Sequence, residues 1–152
     1  MLKFIQYLIN LNGALARKIR ATQAYDEGLA LHGAEEYAKA FPVIKEAAEL
    51  GHDAAMTVYG SMLLLGQGVK EDGEQAELWL KRAADAGYED AISVLGMAYA
   101  TGKAGCRRDV ELGRKLLTRS AEAGDEQSRR MLEMMDKGEG IFHHHKRDNR
   151  RR

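Results

Sequence analysis

Apolar residues in the middle of the chain recur at helical spacing, not at the alternating spacing of strands. Within 55–66, Ala55, Tyr59, Met62, Leu63 and Gly66 fall on about one third of a helix circumference at about 100° per residue. A second stripe follows in Ala76, Trp79, Leu80, Ala83 and Ala84. Between them, Gly66 and Gly68 mark a turn. Asp72 is a strong N-cap, with Gln75 three positions on completing a capping-box pattern. Gly87 and Gly124 stand where a helix needs a left-handed terminator. Gly60 lies inside the first stripe at a cost of about 1 kcal/mol against Ala. That cost makes sense only if a neighbouring helix approaches closely there.

The pattern repeats. Segment 55–90 aligns with 91–127: Ala55 with Ala91, Tyr59-Gly60 with Leu95-Gly96, and Gly66 with Gly102. Asp72 meets Asp109 one residue late, so the turn around Gly105 has gained a residue. Beyond it Ala76 meets Gly113, Trp79 meets Leu116, Ala84 meets Ala121 and Gly87 meets Gly124. The same marks stand upstream in Glu36, Ala40, Ala48 and Gly51. Each unit therefore predicts helix, glycine turn, helix, glycine turn, and repetition on this scale predicts a stacked array.

The first twenty residues have another character. Leu2, Ile5, Leu8, Ile9, Leu15 and Ile19 recur at helical spacing beside Lys3, Arg17, Lys18 and Arg20, with no acid. A basic amphipathic helix of this kind either caps the open end of a repeat array or lies on a membrane surface. Capping is the expectation, because end repeats need covering. Nowhere do 18 apolar residues run together, so no spanning helix is expected.

Composition agrees with helices. The 152 residues contain one proline, Pro42, and are rich in Ala, Leu, Glu, Lys and Met. A net charge of zero hides an uneven distribution: residues 1–20 carry +4, the tail 143–152 another +4, and 21–142 holds 14 bases against 22 acids. An acidic body repels nucleic acid, so any nucleic-acid role would have to reside in the two ends. Cys106 is the only cysteine. With no intrachain disulfide available, a soluble, cytoplasmic protein is expected.

The run Ala-x3-(Leu/Tyr)-Gly-x5-Gly-x-Gly-Val, an Asp, then Ala-x2-Trp-x3-Ala-Ala-x2-Gly resembles the Sel-one-like repeat, a cousin of the tetratricopeptide repeat. Residues 55–90 match nearly throughout, and 91–127 match with Gly113 in place of Ala and the one-residue insertion. Residues 22–54 resemble a shortened opening repeat, and 128–142 a truncated last helix. The resemblance implies an all-α, right-handed α-α superhelix of about three two-helix repeats, with 1–20 as an N-terminal capping helix and 143–152 as a basic tail. It implies first helices lining a concave groove and a role as adaptor, scaffold or, in bacteria, regulator, secretion component or toxin-neutralising immunity protein; no cofactor is expected. An acidic body favours a partner of basic or mixed charge.

On the first helices, positions away from the core stripe are expected to line the groove: Thr57, Ser61, Leu64 and Leu65, then Ser93, Met97, Ala100 and Thr101. Burying a leucine is worth about 1.5–3 kcal/mol. Leu64 and Leu65 therefore either form an apolar contact patch or are covered by helix packing within the array.

Signals for catalysis are thin. Gly66-Gln-Gly68-Val-Lys-Glu-Asp-Gly73 lacks the strand and Lys-Ser/Thr of a phosphate loop. His143, His144 and His145 can bind a metal weakly but lack further ligands at fixed spacing. His32 and His52 fall at turns and read as capping or surface residues. Cys106, beside Arg107 and Arg108, reads as a plain surface thiol. Glu35-Glu36, Glu89-Asp90 and Asp125-Glu126 stand where helices begin and suit the helix dipole. Met131, Met134 and Met135 read as core beneath the last repeat, with an adaptable docking surface as the alternative. No enzyme site is expected.

Overall fold

A computed structural model describes residues 1–138, apart from the side chains of Leu8 and Ile9. The end of the partial repeat after 138 and the tail 143–152, with its three histidines, lie outside the described residues. Seven helices follow in order: α1 (Leu2–Gly33), α2 (Tyr37–Glu49), α3 (Asp53–Leu65), α4 (Gly73–Asp85), α5 (Glu89–Thr101), α6 (Val110–Glu122) and α7 (Glu126–Lys137). A short 3₁₀ turn, Lys103–Gly105, takes up the extra residue before α6. No strand occurs among the described residues.

Each helix packs chiefly on its chain neighbours, α1 on α2, α3 on α4 and α5 on α6, and α5 also touches α3 and α7. This is the α-solenoid that the repeat predicts. Its helix ends use the expected chemistry. Asp72 Oδ1 accepts from the Gln75 amide at 3.0 Å, and Asp109 Oδ1 accepts from Leu112 in the same way. Gly87 and Gly124 stand at φ +92° and +101°, values that favour glycine.

Close approach within each pair rests on one glycine in the first helix. A Cβ on Gly60 would sit 2.7 Å from Leu80 Cγ, and one on Gly96 would sit 3.0 Å from Leu117 Cγ. Gly28 plays the same part against Ile44 in the opening pair. Ile44, Leu80 and Leu117 are all fully buried. The core is thus a line of large apolar side chains from α2, α4 and α6, each pressed onto a bare stretch of backbone.

The N-terminal segment departs from expectation. Residues 1–20 are not a helix of their own. They form the first part of α1, a 32-residue helix about 48 Å long that runs without a break into the opening pair. All their described side chains are exposed, Leu2, Phe4, Ile5, Leu11, Leu15 and Ile19 among them. From Gly13 onward the helix borders the array: Arg20 pairs with Glu46 of α2 at 2.6 Å, and Gly13, Ala14, Arg17 and Lys18 line a depression with His52 and Tyr88, while the apolar side chains stay open to solvent.

Candidate functional site

The candidate site is a cleft of about 380 Å³ where α3, α5 and α7 come side by side. Ser61, Leu64 and Leu65 come from α3, Val94, Met97, Ala98 and Thr101 from α5, Lys103 from the 3₁₀ turn, and Met131 from α7. The wall residues of α3 lie at i, i+3, i+4 and those of α5 at i, i+3, i+4, i+7, so each helix offers one narrow strip. Leu64 is the floor, 5% exposed, whereas Leu65 stands at the mouth, 56% exposed.

The cleft is apolar even where its residues are not. Ser61 Oγ donates to the Thr57 carbonyl at 2.9 Å, and Thr101 Oγ1 donates to the Met97 carbonyl at 2.8 Å. Each hydroxyl is satisfied by its own helix one turn back, leaving carbon to face the cleft. At the rim Lys103 Nζ donates to Glu71 Oε1 at 2.9 Å, an exposed pair worth at most about 1 kcal/mol.

Five of the eight residues expected in the groove meet here: Ser61, Leu64, Leu65, Met97 and Thr101. The other three face inward. Ala100 is fully buried against α6, where a Cβ on Gly113 would lie 2.6 Å from the Ala100 amide nitrogen. Ser93 Oγ donates to Asp125 Oδ2 at 2.7 Å and lies 3.0 Å from Ser128 Oγ, tying α5 to the start of α7. Thr57 is buried, and its Oγ1 has no hydrogen-bond partner among the described residues. The reason is shared. A helix inside the array is covered by its own partner, by the preceding helix and by the next first helix, so α3 and α5 bury three sides and keep one strip open. Val94, Ala98 and Lys103 were not among the expected residues. Met131, read as core, closes the end of the cleft.

Asp125 is the most strongly perturbed carboxylate described. Burial pushes it up, but hydrogen bonds from the Ser128 and Ser93 hydroxyls and from the Ser128 and Gln127 amides outweigh that and hold it at about 2. It caps α7, a structural task. Glu77 also joins neighbours, accepting from Lys81 and from Tyr99 Oη, each at 2.7 Å.

Residues weighed for chemistry do not converge. Cys106 is not a surface thiol. It is buried, and its Sγ donates to the Gly73 carbonyl at 3.1 Å. Burial, then the charges of Glu77 and Asp72, push its thiol up, which suppresses reactivity. The 3₁₀ turn folds it inward while Arg107 and Arg108 stay exposed. His52 Nδ1 accepts from the Ala55 amide as the N-cap of α3, and its ring stacks on Tyr25 at 4.2 Å. His32 Nε2 lies 3.1 Å from Gln67 Oε1. Neither histidine meets Cys106, and the described residues contain no group of three or more metal-ligating side chains. No helix described is long and apolar enough to cross a membrane.

Fold and cleft together define a short α-solenoid of stacked helix pairs with an apolar groove on the side of its first helices. Residues 53–88 and 90–125 each match the Sel1 repeat, and the helical architecture is that of Sel1-like repeat solenoids. It is similar to an uncharacterised protein of Neisseria meningitidis serogroup B, 47% identical over 57 residues, which are 35% of this chain and 12% of the relative. Among solved structures it resembles a protective antigen with an SLR fold from uropathogenic Escherichia coli (TM-score 0.67, 30% identity, 78% of this chain and 26% of that one). It also resembles a Sel1 repeat protein from Oxalobacter formigenes (TM-score 0.62, 25% identity, 84% and 98%). Likeness to cysteine rich protein B of Helicobacter pylori, at 19% identity and a TM-score of 0.53, concerns the fold alone. The chain thus spans about an eighth of the meningococcal relative and a quarter of the E. coli antigen. Sel1-repeat proteins in general serve protein–protein interaction and are not typically enzymes.

Proposed function

We propose that this chain is a non-enzymatic binding module that grips one partner protein through the α3–α5–α7 cleft. The partner inserts an apolar side chain, or one edge of an amphipathic helix, between Leu65, Met97 and Met131. The observation that carries this reading is the make-up of the cleft: a carbon-walled depression with a half-exposed leucine at its mouth and its hydroxyls already satisfied. Water gains little there, and an apolar anchor gains much. The acidic balance of residues 21–142 favours a basic or mixed-charge surface around that anchor. An adaptor, or an immunity protein neutralising a cognate toxin, fits such a module.

Affinity capture from the native cell with the full chain and its Leu65→Glu variant tests this. Leu65 stands clear of the core, so the variant keeps its fold. A protein retained by the parent and lost from the variant is the expected result; equal recovery on both would refute the cleft as the binding site.

A further inference from the structure

We infer that the chain also self-associates, two copies pairing the first part of α1 side by side and in parallel. Leu2, Phe4, Ile5, Leu11, Leu15 and Ile19 are each between 48% and 86% exposed on one continuous helix. So long an unpartnered apolar row is a binding surface. Its spacing names the occupant. Ile5, Leu8, Asn12, Leu15 and Ile19 alternate steps of three and four, the heptad seam of a coiled coil. Isoleucine falls at the a positions, leucine at the d positions, and a single asparagine at the central a position, the combination that favours two parallel strands.

Three further features agree. Lys3, Arg17 and Arg20 fall at outer heptad positions, and only Lys18 flanks the seam. At about 100° per residue, the seam centres about half a turn from Ala21, Ala24 and Gly28, the buried side of α1. Pairing therefore points the two solenoids away from each other. The seam stops where Thr22 and Asp26 would follow, since two aspartates facing each other repel. Covering the four apolar seam residues and the flanking Phe4 and Leu11 removes on the order of 500 Å² per copy, about 1,000 Å² for a pair, the lower bound for a stable interface.

A lipid surface is the competing occupant, and Asn12 argues against it. Its exposed amide in the middle of the apolar row loses hydrogen bonds in lipid but faces its own copy in a parallel pair.

Equilibrium sedimentation of the full chain decides. The parent forms a dimer that dissociates on dilution and tightens as salt screens Lys18, the base that flanks the seam on each helix. Leu15→Glu is monomeric throughout with an unchanged melting curve. Leu78→Glu, equally exposed on α4, remains a dimer. Ile5→Cys cross-links as a disulfide dimer with oxidised glutathione. A monomeric parent, a dimer indifferent to Leu15→Glu, no cross-link at Ile5→Cys, or a monomer that binds phosphatidylserine vesicles and releases them in salt would each overturn the inference.

Discussion

Gly60 shows how single residues set this fold. Alanine is worth about 1 kcal/mol more than glycine inside a helix, yet a Cβ there meets the fully buried Leu80 at 2.7 Å. Overpacking of that kind costs about 1–3 kcal/mol. Gly60→Ala is therefore expected to lower the midpoint of urea unfolding; a raised midpoint would mean that α3 and α4 have room to spare. Ser93 and Thr57 form a natural pair at matching places in α5 and α3. Ser93 finds Asp125 and Ser128, whereas the places 37 residues before those partners hold Tyr88 and Ala91, and Thr57 Oγ1 stays unpaired. Ser93→Ala is expected to destabilise by about 1–3 kcal/mol, and the near-isosteric Thr57→Val to be neutral or stabilising. Thermal melts of the two variants check both signs. Asp125 adds a pH dependence. Its folded value of about 2 lies below the usual aspartate range, so its contribution is present above about pH 4 and disappears as pH falls towards 2. Solvent screening keeps that contribution below about 2 kcal/mol. Asp125→Asn should flatten the acid limb of a stability–pH curve.

At the scale of elements, Leu64 and Leu65 separate packing from binding. Leu64→Ala is expected to cost about 2–5 kcal/mol, as cavity-forming changes in a core do, and Leu65→Ala well under 1 kcal/mol; chemical denaturation of the two variants checks the contrast. The helix pairs themselves were legible in the sequence, because glycine turns, aspartate caps and apolar stripes recur in register and each carries a local physical reason. Which strip of α3 and α5 stays open was only half legible. Counting around a single helix gives one buried face, but α3 and α5 have neighbours on three sides, and those neighbours lie far along the chain. Thr57, Ser93 and Ala100 were lost to that crowding, and Val94 and Ala98 were missed for the same reason. Cys106 was misread because the one-residue insertion that shifts the register also folds the turn inward over Gly73. The N-terminal segment is a helix, as its spacing predicts; its continuity with the opening pair was not visible, since nothing in Arg20-Ala21-Thr22 breaks or extends a helix decisively.

On the scale of the molecule, two apolar surfaces stand open among the described residues, and they differ in kind. The cleft is small, concave and walled by three helices, a shape that accepts a few anchoring side chains. The exposed row on α1 is long and convex, the shape of a helix that pairs with its like. They lie on different elements, so a pair formed through α1 leaves both clefts free, and a partner with two binding sites would be held more tightly by the pair than by one copy. The central claim, that the cleft holds the partner, is open to direct observation through its own methionines. With methyl-labelled methionine, the Met97 and Met131 signals are expected to shift when the captured partner is added, while those of the buried Met56 and Met62 hold still. A complex that forms with Met97 and Met131 unmoved would contradict the account.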